Sequence, residues 1–493
     1  MNFLYLFVIV PLLMMACVAV SKDATTIKRI MAVGSGIQLV LSFVLLAWFV
    51  DLRSSGVTDA MLFRSDLVWY PDLDIQLSLG VDGISVLMIV LSAIIVFTGS
   101  MTSWAMEDKV KEYFLWFLML SIGVFGFFIT VDLFAMFMFY EIALIPMYLL
   151  IGVWGTGKKE YSAMKLTLML MGGSAFLLLG ILGIYFYSGA ETMNLLDIAK
   201  HGVEKAAQHW LFPITFLGFG VLGALFPFHT WSPDGHASAP TAVSMLHAGV
   251  LMKLGGYGCL RVAIYLMPEG AEAYTTLFLV LTGISVLYGA LGAIAQTDLK
   301  YINAYSSVSH CGMVLFGILM INKTAMTGAA MQMLSHGLMT ALFFCLIGGI
   351  YGRTHTREIS QMGGLARIMP FMAVCWVIAA MANLGLPGLS GFVSEMNIFV
   401  GSFQHPDTFH RVITIIACCS IVVTAVYQLR VVGKIHFGEV VNEHHKELTD
   451  ATWYERTSAI TLILFIAAIG CLPFIPMDII DDSLFNMFPA FAN

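Results

Sequence analysis

The stretch that decides the fold is a polar, proline-rich segment between two apolar runs. It reads Leu225-Phe-Pro-Phe-His-Thr-Trp-Ser-Pro-Asp-Gly-His-Ala-Ser-Ala-Pro240, with apolar residues at 211–224 before it and at 241–250 after it. Each of its prolines lacks a backbone donor and restricts the residue that precedes it. The sequence therefore predicts a helix that is broken near 225–240.

The surrounding composition is that of a membrane protein. Hydrophobic residues make up 59% of the 493 positions and charged residues 11%, with a mean hydropathy of +0.88. Soluble domains are about 45–50% apolar and about 25% charged. Runs such as 114–130 and 166–187 approach the ~20 residues that a helix needs to cross a bilayer, and we count about fourteen of them. These features predict an all-α polytopic membrane protein in contact with the lipid bilayer, with almost no soluble domain.

A second interruption, Asn383-Leu-Gly-Leu-Pro-Gly-Leu-Ser-Gly391, lies about 155–160 residues further along, inside the apolar run 370–400. Broken helices at matching positions are typical of transporters built from inverted repeats. We therefore expect two inverted five-helix repeats and two discontinuous helices; two unrelated proline kinks are the alternative. The predicted divisions are a three-helix segment at 1–110, repeats at 111–270 and 271–435 with the second break near 383–391, and a cytoplasmic-side segment with the last helix at 436–493.

Basic residues predict the orientation of the chain. With the N-terminus outside, sixteen of the 24 lysines and arginines fall in inner loops and six in outer loops, as the positive-inside rule requires. The outer loop 51–82 and the tail 478–482 are rich in acids. The first charge, Lys22, follows the apolar run 1–20, so we expect a retained first helix rather than a cleaved signal peptide.

The sequence contains no motif typical of metal, iron–sulfur or nucleotide binding. The eight cysteines all lie in apolar segments without a Cys-x-x-Cys pair, and no glycine-rich nucleotide loop follows a strand. We therefore expect no metal, no iron–sulfur cluster and no redox cofactor in this chain, and no nucleic-acid partner.

Ionisable side chains deep inside apolar runs indicate a function in ion transfer. Glu141, Lys253, His336 and Glu395 each lie in a stretch long enough to cross the bilayer. A charge at the membrane centre costs about 2.5–3.5 kcal/mol on insertion scales, so such residues pair inside the protein or move ions and protons. The alternatives are structural ion pairs and, for the histidines, hydrogen bonds between helices.

Three further histidines are candidates for proton transfer. His310 lies one predicted helix before His336, and imidazole can relay a proton near neutral pH. His229 and His236 lie within the first interruption, with Asp234 between them. These two residues could shuttle protons, bind a metal or cap the two half-helices.

Longer motifs resemble a known family. The run from Phe228 to Lys253-Leu-Gly-Gly-Tyr-Gly258, the segment 296–310, and Gly385-Leu-Pro-Gly-Leu-Ser-Gly-Phe-Val-Ser-Glu395 are similar to the antiporter-like subunits of respiratory complex I, above all to their M-type branch. The resemblance covers the whole chain in length and segment order.

That resemblance implies fourteen helices, with the seventh and twelfth broken, and proton translocation within a NADH–quinone oxidoreductase of the bacterial inner membrane. NADH, FMN, iron–sulfur clusters and quinone would then be bound by other subunits, with L-type and N-type subunits as neighbours. The implied proton path comprises Glu141, Lys253, His310, His336 and Glu395, and we assign His229 and His236 to a secondary relay.

One position departs from the family pattern. Seven residues before the histidine that matches His229, the family usually has a lysine that pairs with the glutamate matching Glu141; here that position is Leu222. His247, in turn, stands where relatives more often have an apolar residue. We predict that His247 joins the secondary relay as a replacement for the missing lysine. The alternative is a half-channel that relies on Lys253 alone or pumps poorly.

Three other functions are compatible with the sequence. A sodium/proton antiporter chain shares the fold but usually has lysine where this sequence has Glu395. A subunit of a membrane-bound hydrogenase-type or formate-linked complex shares the same module. A passive scaffold with vestigial charges would tolerate the replacement of Lys253.

Overall fold

The computed structural model describes residues 2–71 and 75–492, which form a bundle of membrane-length helices. Eleven helices in these ranges are long and apolar enough to cross a bilayer. In chain order the helices are α1 (Leu6–Val20), α2 (Ala24–Ser54), α3 (Gly83–Thr102), α4 (Val110–Ile129), α5 (Leu133–Trp154), α6 (Lys159–Ser188), α7 (Leu195–His201), α8 (Lys205–Leu222), α9 (Trp231–Ser238), α10 (Thr241–Leu246), α11 (Met252–Gly258), α12 (Pro268–Ala295), α13 (Leu299–Leu319), α14 (Lys323–Thr354), α15 (Leu365–Ile368), α16 (Pro370–Asn383), α17 (Ser390–Gln404), α18 (Thr408–His436), α19 (Trp453–Cys471) and α20 (Phe474–Met487).

Three further crossings are irregular and bring the total in the described ranges to fourteen. The seventh crossing consists of α8 and α9, and the twelfth consists of α16 and α17. The eighth is a continuous helix in which α10 and α11 alternate with two π-helical segments, His247–Leu251 and Cys259–Ile264. The prediction of an all-α membrane protein with about fourteen crossings and two discontinuous helices is confirmed.

The first interruption is shorter than its prolines suggest. The helix α8 ends at Leu222, and α9 already begins at Trp231. Pro233 lies in the first turn of α9, where the backbone donors have no partner within the helix, so the proline removes no hydrogen bond there. Pro240 precedes α10 as its N-cap residue. The non-helical residues are therefore 223–230 and the two-residue joint 239–240.

Side chains satisfy the backbone groups that this interruption frees. The indole Nε1 of Trp231 donates to the carbonyl of Val221 at 3.0 Å. The backbone N–H of Phe226 donates to Ser285 Oγ, 2.8 Å away on α12. Such pairing is what permits irregular backbone at membrane depth.

Glycines build the second interruption, between α16 and α17. Gly385 and Gly388 have φ values of 65° and 92°, in the left-handed region that glycine enters without strain. A Cβ atom on Gly391 would lie 2.2 Å from the carbonyl oxygen of Ala382. The two half-helices therefore approach more closely than any other residue at 391 would allow.

The centre of the bundle is formed by α3, α13 and α14. Their most apolar windows are 94% buried, against 33% for α2 and α18 on the outside. Side chains on α13 and α14 are therefore shielded from lipid, which is the environment that intramembrane polar groups require.

The predicted acid-rich loop 51–82 contains short β-structure that the sequence did not suggest. Strand β1 (Leu62–Ser65) pairs with β4 (Leu79–Val81), and β2 (Val68–Tyr70) pairs with β3 (Ile75–Gln76), both antiparallel. Strands of two to four residues are too short for an alternating pattern to be visible.

The apolar run 460–477, which the sequence presents as one segment, is divided between α19 and α20. The division falls at Pro473, which cannot continue the ladder of α19. In α20 the acidic tail 478–482 is helical, and Ser483 on its buried face accepts a hydrogen bond from the N–H of Gly83 at 2.8 Å.

Candidate functional site

Lys253 lies at one end of a row of buried polar side chains. Its Nζ donates to the carbonyl of Ala248 at 2.5 Å and lies 2.7 Å from Nδ1 of His336 on α14. The π-helical segment before it sets this arrangement, because the N–H of Met252 bonds to the carbonyl of His247, five residues back instead of four.

His310, on α13, is held by two side-chain amides. Its Nε2 lies 2.5 Å from Oδ1 of Asn383, and Nε2 of Gln332 lies 2.9 Å from its Nδ1. Because an amide oxygen only accepts and an amide nitrogen only donates, these contacts assign the proton of neutral His310 to Nε2. Ser394 donates to the Oε1 of Gln332, which fixes the orientation of that amide.

The row continues from His310 in both directions. Its ring stacks on that of His336 with centroids 5.2 Å apart. Its Nδ1 lies 3.5 Å from Oε1 of Glu395, a buried carboxyl on α17 just beyond the second interruption. The structure thus brings four of the predicted residues together in the order Lys253, His336, His310 and Glu395.

A second pair of histidines lies at the Lys253 end. The rings of His236 on α9 and His247 are 4.1 Å apart, and His247 also stacks on Trp231 at 5.2 Å. Both histidines are fully buried, and none of their four ring nitrogens has a hydrogen-bond partner among the described residues.

Glu141 and His229 lie outside the row. Glu141 is half-buried on α5 and faces Ser174 of α6, while its Oε1 has no hydrogen-bond partner among the described residues. His229 packs between the rings of Phe226 and Tyr288, at 5.7 Å and 5.0 Å.

Leu222, at the position where the family usually has lysine, is the buried last residue of α8. The ring contacts of His247 are with Trp231 and His236, and no hydrogen bond in the described ranges joins it to Glu141. That His247 replaces the missing lysine stays a prediction, and its surroundings favour a relay over a partner of Glu141.

Two polar groups that the sequence did not predict lie near the ends of the helices. Lys300, counted as an inner-loop charge, is buried and donates to the carbonyl of Ala239 at 2.6 Å. Lys165 lies 2.7 Å from Asp234, whose other oxygen accepts from Tyr301 at 3.0 Å. Nothing local in the sequence distinguishes these lysines from solvated ones, because their burial depends on distant helices.

A third missed group lies toward the opposite end. Arg261, which the sequence places within a helix, lies 2.5 Å from Asp82 at the start of α3. Both side chains are buried.

Possible metal ligands do not cluster in the described residues. Within 2–71 and 75–492, no three His, Cys, Asp or Glu side chains come together as a group that could hold a metal ion.

A family profile described as NADH:quinone oxidoreductase/Mrp antiporter, transmembrane, matches residues 130–424. The chain belongs to this family. It is 36% identical over 462 residues to NADH-quinone oxidoreductase subunit M of Rhodobacter capsulatus, covering 92% of this chain and 88% of that protein. The matched range includes every residue of the row from Lys253 to Glu395.

Solved structures show the same architecture. A chain of respiratory complex I from Thermus thermophilus with bound NADH superposes with a TM-score of 0.88 at 26% identity, over 98% of this chain and 99% of that chain. A chain of the Mrp complex from Dietzia sp. superposes with a TM-score of 0.87 at 22% identity, over 99% and 98% of the two chains. The second likeness concerns the fold alone.

Proposed function

We propose that this chain is the M-type membrane subunit of a bacterial NADH–quinone oxidoreductase and that it translocates protons. The observation that carries the proposal is the buried row from Lys253 to Glu395. Each member lies within contact of the next, and all four side chains are buried. The Rhodobacter capsulatus relative is subunit M of such an enzyme, and the match covers 88% of its length.

The row permits proton transfer by a simple sequence of steps. The ammonium of Lys253 gives a proton to Nδ1 of His336, and the imidazolium so formed releases a proton to the neighbouring His310. Nε2 of His310 already carries the proton that is bonded to Asn383, so the arriving proton occupies Nδ1 once the amide of Gln332 has left that nitrogen. For a proton to pass from Nδ1 of His310 to Glu395, the amide of Gln332 must first release that nitrogen. Gln332 therefore acts as a positioning residue: while its amide is bonded to Nδ1 of His310, no proton passes from that nitrogen to Glu395.

Energy for these steps comes, in this proposal, from electron transfer in other subunits, which bind NADH, FMN, iron–sulfur clusters and quinone. A charge displaced in a neighbouring L-type or N-type subunit changes the free energy of the next ionised group, since unit charges interact strongly in a low-dielectric interior. Glu141, at the edge of the bundle away from the row, is suited to receive such a signal.

The arrangement in the cell follows from the same proposal. The chain lies in the bacterial inner membrane with its N-terminus outside, as the distribution of basic residues favours. We assign the two inverted repeats to 111–270 and 271–435, each containing one discontinuous helix. His229, His236 and His247 serve as the secondary relay beside Lys253.

The test is Lys253→Met in the whole complex reconstituted in liposomes. We expect NADH oxidation to continue while the number of protons pumped per NADH falls, because methionine fills the space of lysine but carries no proton. The measurement is the ratio of internal acidification to NADH consumed. Lys200→Met, at an exposed lysine of α7, is the matched control.

An unchanged proton ratio in Lys253→Met would contradict the proposal and favour the passive scaffold. Transport that requires sodium ions in the unmodified complex would favour the antiporter alternative.

A further inference from the structure

The face of the eighth crossing that carries Lys253 continues toward the side of the membrane that we place outside. Tyr257, Arg261 and Tyr265 follow Lys253 at intervals of four residues, which places them near one face of the helix. The distance from Lys253 to Tyr265 is roughly 18 Å along the axis at 1.5 Å per residue.

A cavity of about 600 Å³ lies at the outer end of this face. Tyr265 lines it together with Arg64 and Lys200, which belong to segments that the basic-residue count assigns to the outer side. The cavity is half-open, so water reaches the neighbourhood of Tyr265 from that side. Without an obstacle, a proton on Lys253 would have a direct exit here.

The obstacle is a buried ion pair. Arg261 Nη2 lies 2.5 Å from Asp82 Oδ2, and the two side chains are 3% and 2% exposed. The guanidinium also lies over the ring of Tyr257, 5.1 Å from its centroid, and the hydroxyl of Tyr257 lies 2.7 Å from Ser85 Oγ.

The carboxylate of the pair is held by its own helix. Asp82 is the N-cap residue of α3, where its second oxygen accepts from the N–H of Ser85 at 2.9 Å. A guanidinium does not give up its proton in proteins, so Arg261 cannot pass one on. A fixed cation at a constriction instead repels protons, as arginines do in water-selective pores.

We propose that the Asp82–Arg261 pair, backed by Tyr257, is a permanent barrier that closes the short path from Lys253 to the outer cavity. Protons on Lys253 are thereby directed to His336 and on to Glu395. This inference rests on the proposed function, because it assigns a direction to the proton that Lys253 carries.

The first test measures passive proton flux in liposomes that contain the whole complex, without NADH and with an imposed pH gradient. Asp82→Asn combined with Arg261→Met removes both charges, keeps a helix-capping side chain and leaves no unpaired charge buried. We expect the flux to rise about tenfold or more, since the repelling cation is gone. Arg411→Met, at an exposed arginine that we also place outside, is the control, and we expect its proton flux to equal that of the unmodified complex.

Adding Lys253→Met to the double variant tests the route. We expect the leak to disappear, because its inner end is then missing. A double variant as tight as the unmodified complex, or a leak that persists without Lys253, would overturn the inference.

A second measurement leaves the ion pair in place and does not depend on how well the double variant assembles. In a chain whose exposed cysteines 17, 419 and 471 are replaced by serine, Tyr265→Cys and Lys253→Cys are exposed to a water-soluble thiol reagent from outside. We expect labelling at 265 and none at 253, and labelling at both would contradict the barrier. Neither test uses NADH, so failure of the proposed function, seen as absent pumping in the unmodified complex, is separable from failure here.

Discussion

Asn383 decides which nitrogen of His310 carries the proton. Its Oδ1 accepts from Nε2 of His310, while its own Nδ2 donates to Ser306 Oγ at 3.2 Å. Tyr427 donates to the same Ser306 oxygen at 2.8 Å, so the amide cannot turn over without losing both contacts. Asn383 carries no transferable proton itself, but it determines that His310 accepts and releases the moving proton at Nδ1.

Replacing Asn383 by leucine tests this role. We expect the proton ratio per NADH to fall and the subunit to lose about 1–3 kcal/mol of stability, because buried polar groups of His310 and Ser306 are left unpaired. The number of protons pumped per NADH measures the first effect. The temperature at which half of the subunit is lost from the complex measures the second. Asn397→Leu is the control, since among the described residues that amide bonds to the carbonyl of Val393 on its own helix and to the sulfur of Met477. Unchanged pumping in Asn383→Leu would contradict the assigned role.

At the scale of elements, the two interruptions reach the same result by different local chemistry. The first uses prolines and pairs its freed backbone groups with Trp231 and Ser285. The second uses glycines whose backbone conformation or close approach excludes a side chain. In both, a half-helix brings a polar residue, His236 or Glu395, to the centre of the bundle.

The second interruption gives a prediction at this scale. Gly391→Ala forces a methyl group against the carbonyl of Ala382, and we expect a loss of about 1–3 kcal/mol as for overpacking in a core. Gly172→Ala on α6 is the matched control, because its Cβ would meet no atom within 4 Å. The measurement is the temperature at which half of the subunit is lost from the complex in detergent, compared between the two variants. Equal temperatures would show that α16 and α17 can move apart without a loss of stability.

At the scale of the whole molecule, a bidentate ion pair attaches α19 to the central helix α14. Arg353 donates from Nη1 and Nη2 to the two oxygens of Glu455, at 2.8 Å and 2.7 Å. The same carboxylate accepts from the N–H of Thr452 and so caps α19. Paired, charge-assisted hydrogen bonds of this kind are among the stronger ones in proteins.

Glu455→Gln is expected to loosen this attachment. The substitution replaces one charge-assisted acceptor by a donor and costs about 1.5–3 kcal/mol. Protease sensitivity of the segment 437–452, which precedes α19, reports the change. Glu443→Gln, in an exposed pair with Lys446, should have no effect, and equal sensitivity of the two variants would contradict the proposed attachment.

Much of the fold could be predicted because its signals are local. Prolines and glycines mark both interruptions, and apolar runs mark the crossings. Lys253, His336 and Glu395 were found because each stands out against its own apolar run, and His310 because imidazole can relay a proton near neutral pH. Contacts between distant helices had no such signal: the ring contact of His236 with His247 and the burial of Lys300 depend on how α9 and α13 pack. The short strands and α20 were missed because they carry no periodic pattern.

The π-helical segment before Lys253 has a mechanical consequence. Bonding over five residues instead of four stores one surplus residue in that turn, and an α-helix turns about 100° per residue. If the segment rewound to ordinary α-helical bonding, the amine of Lys253 would rotate by about 100° around the helix axis, away from His336. A change of winding confined to this segment would therefore connect or disconnect Lys253 and His336.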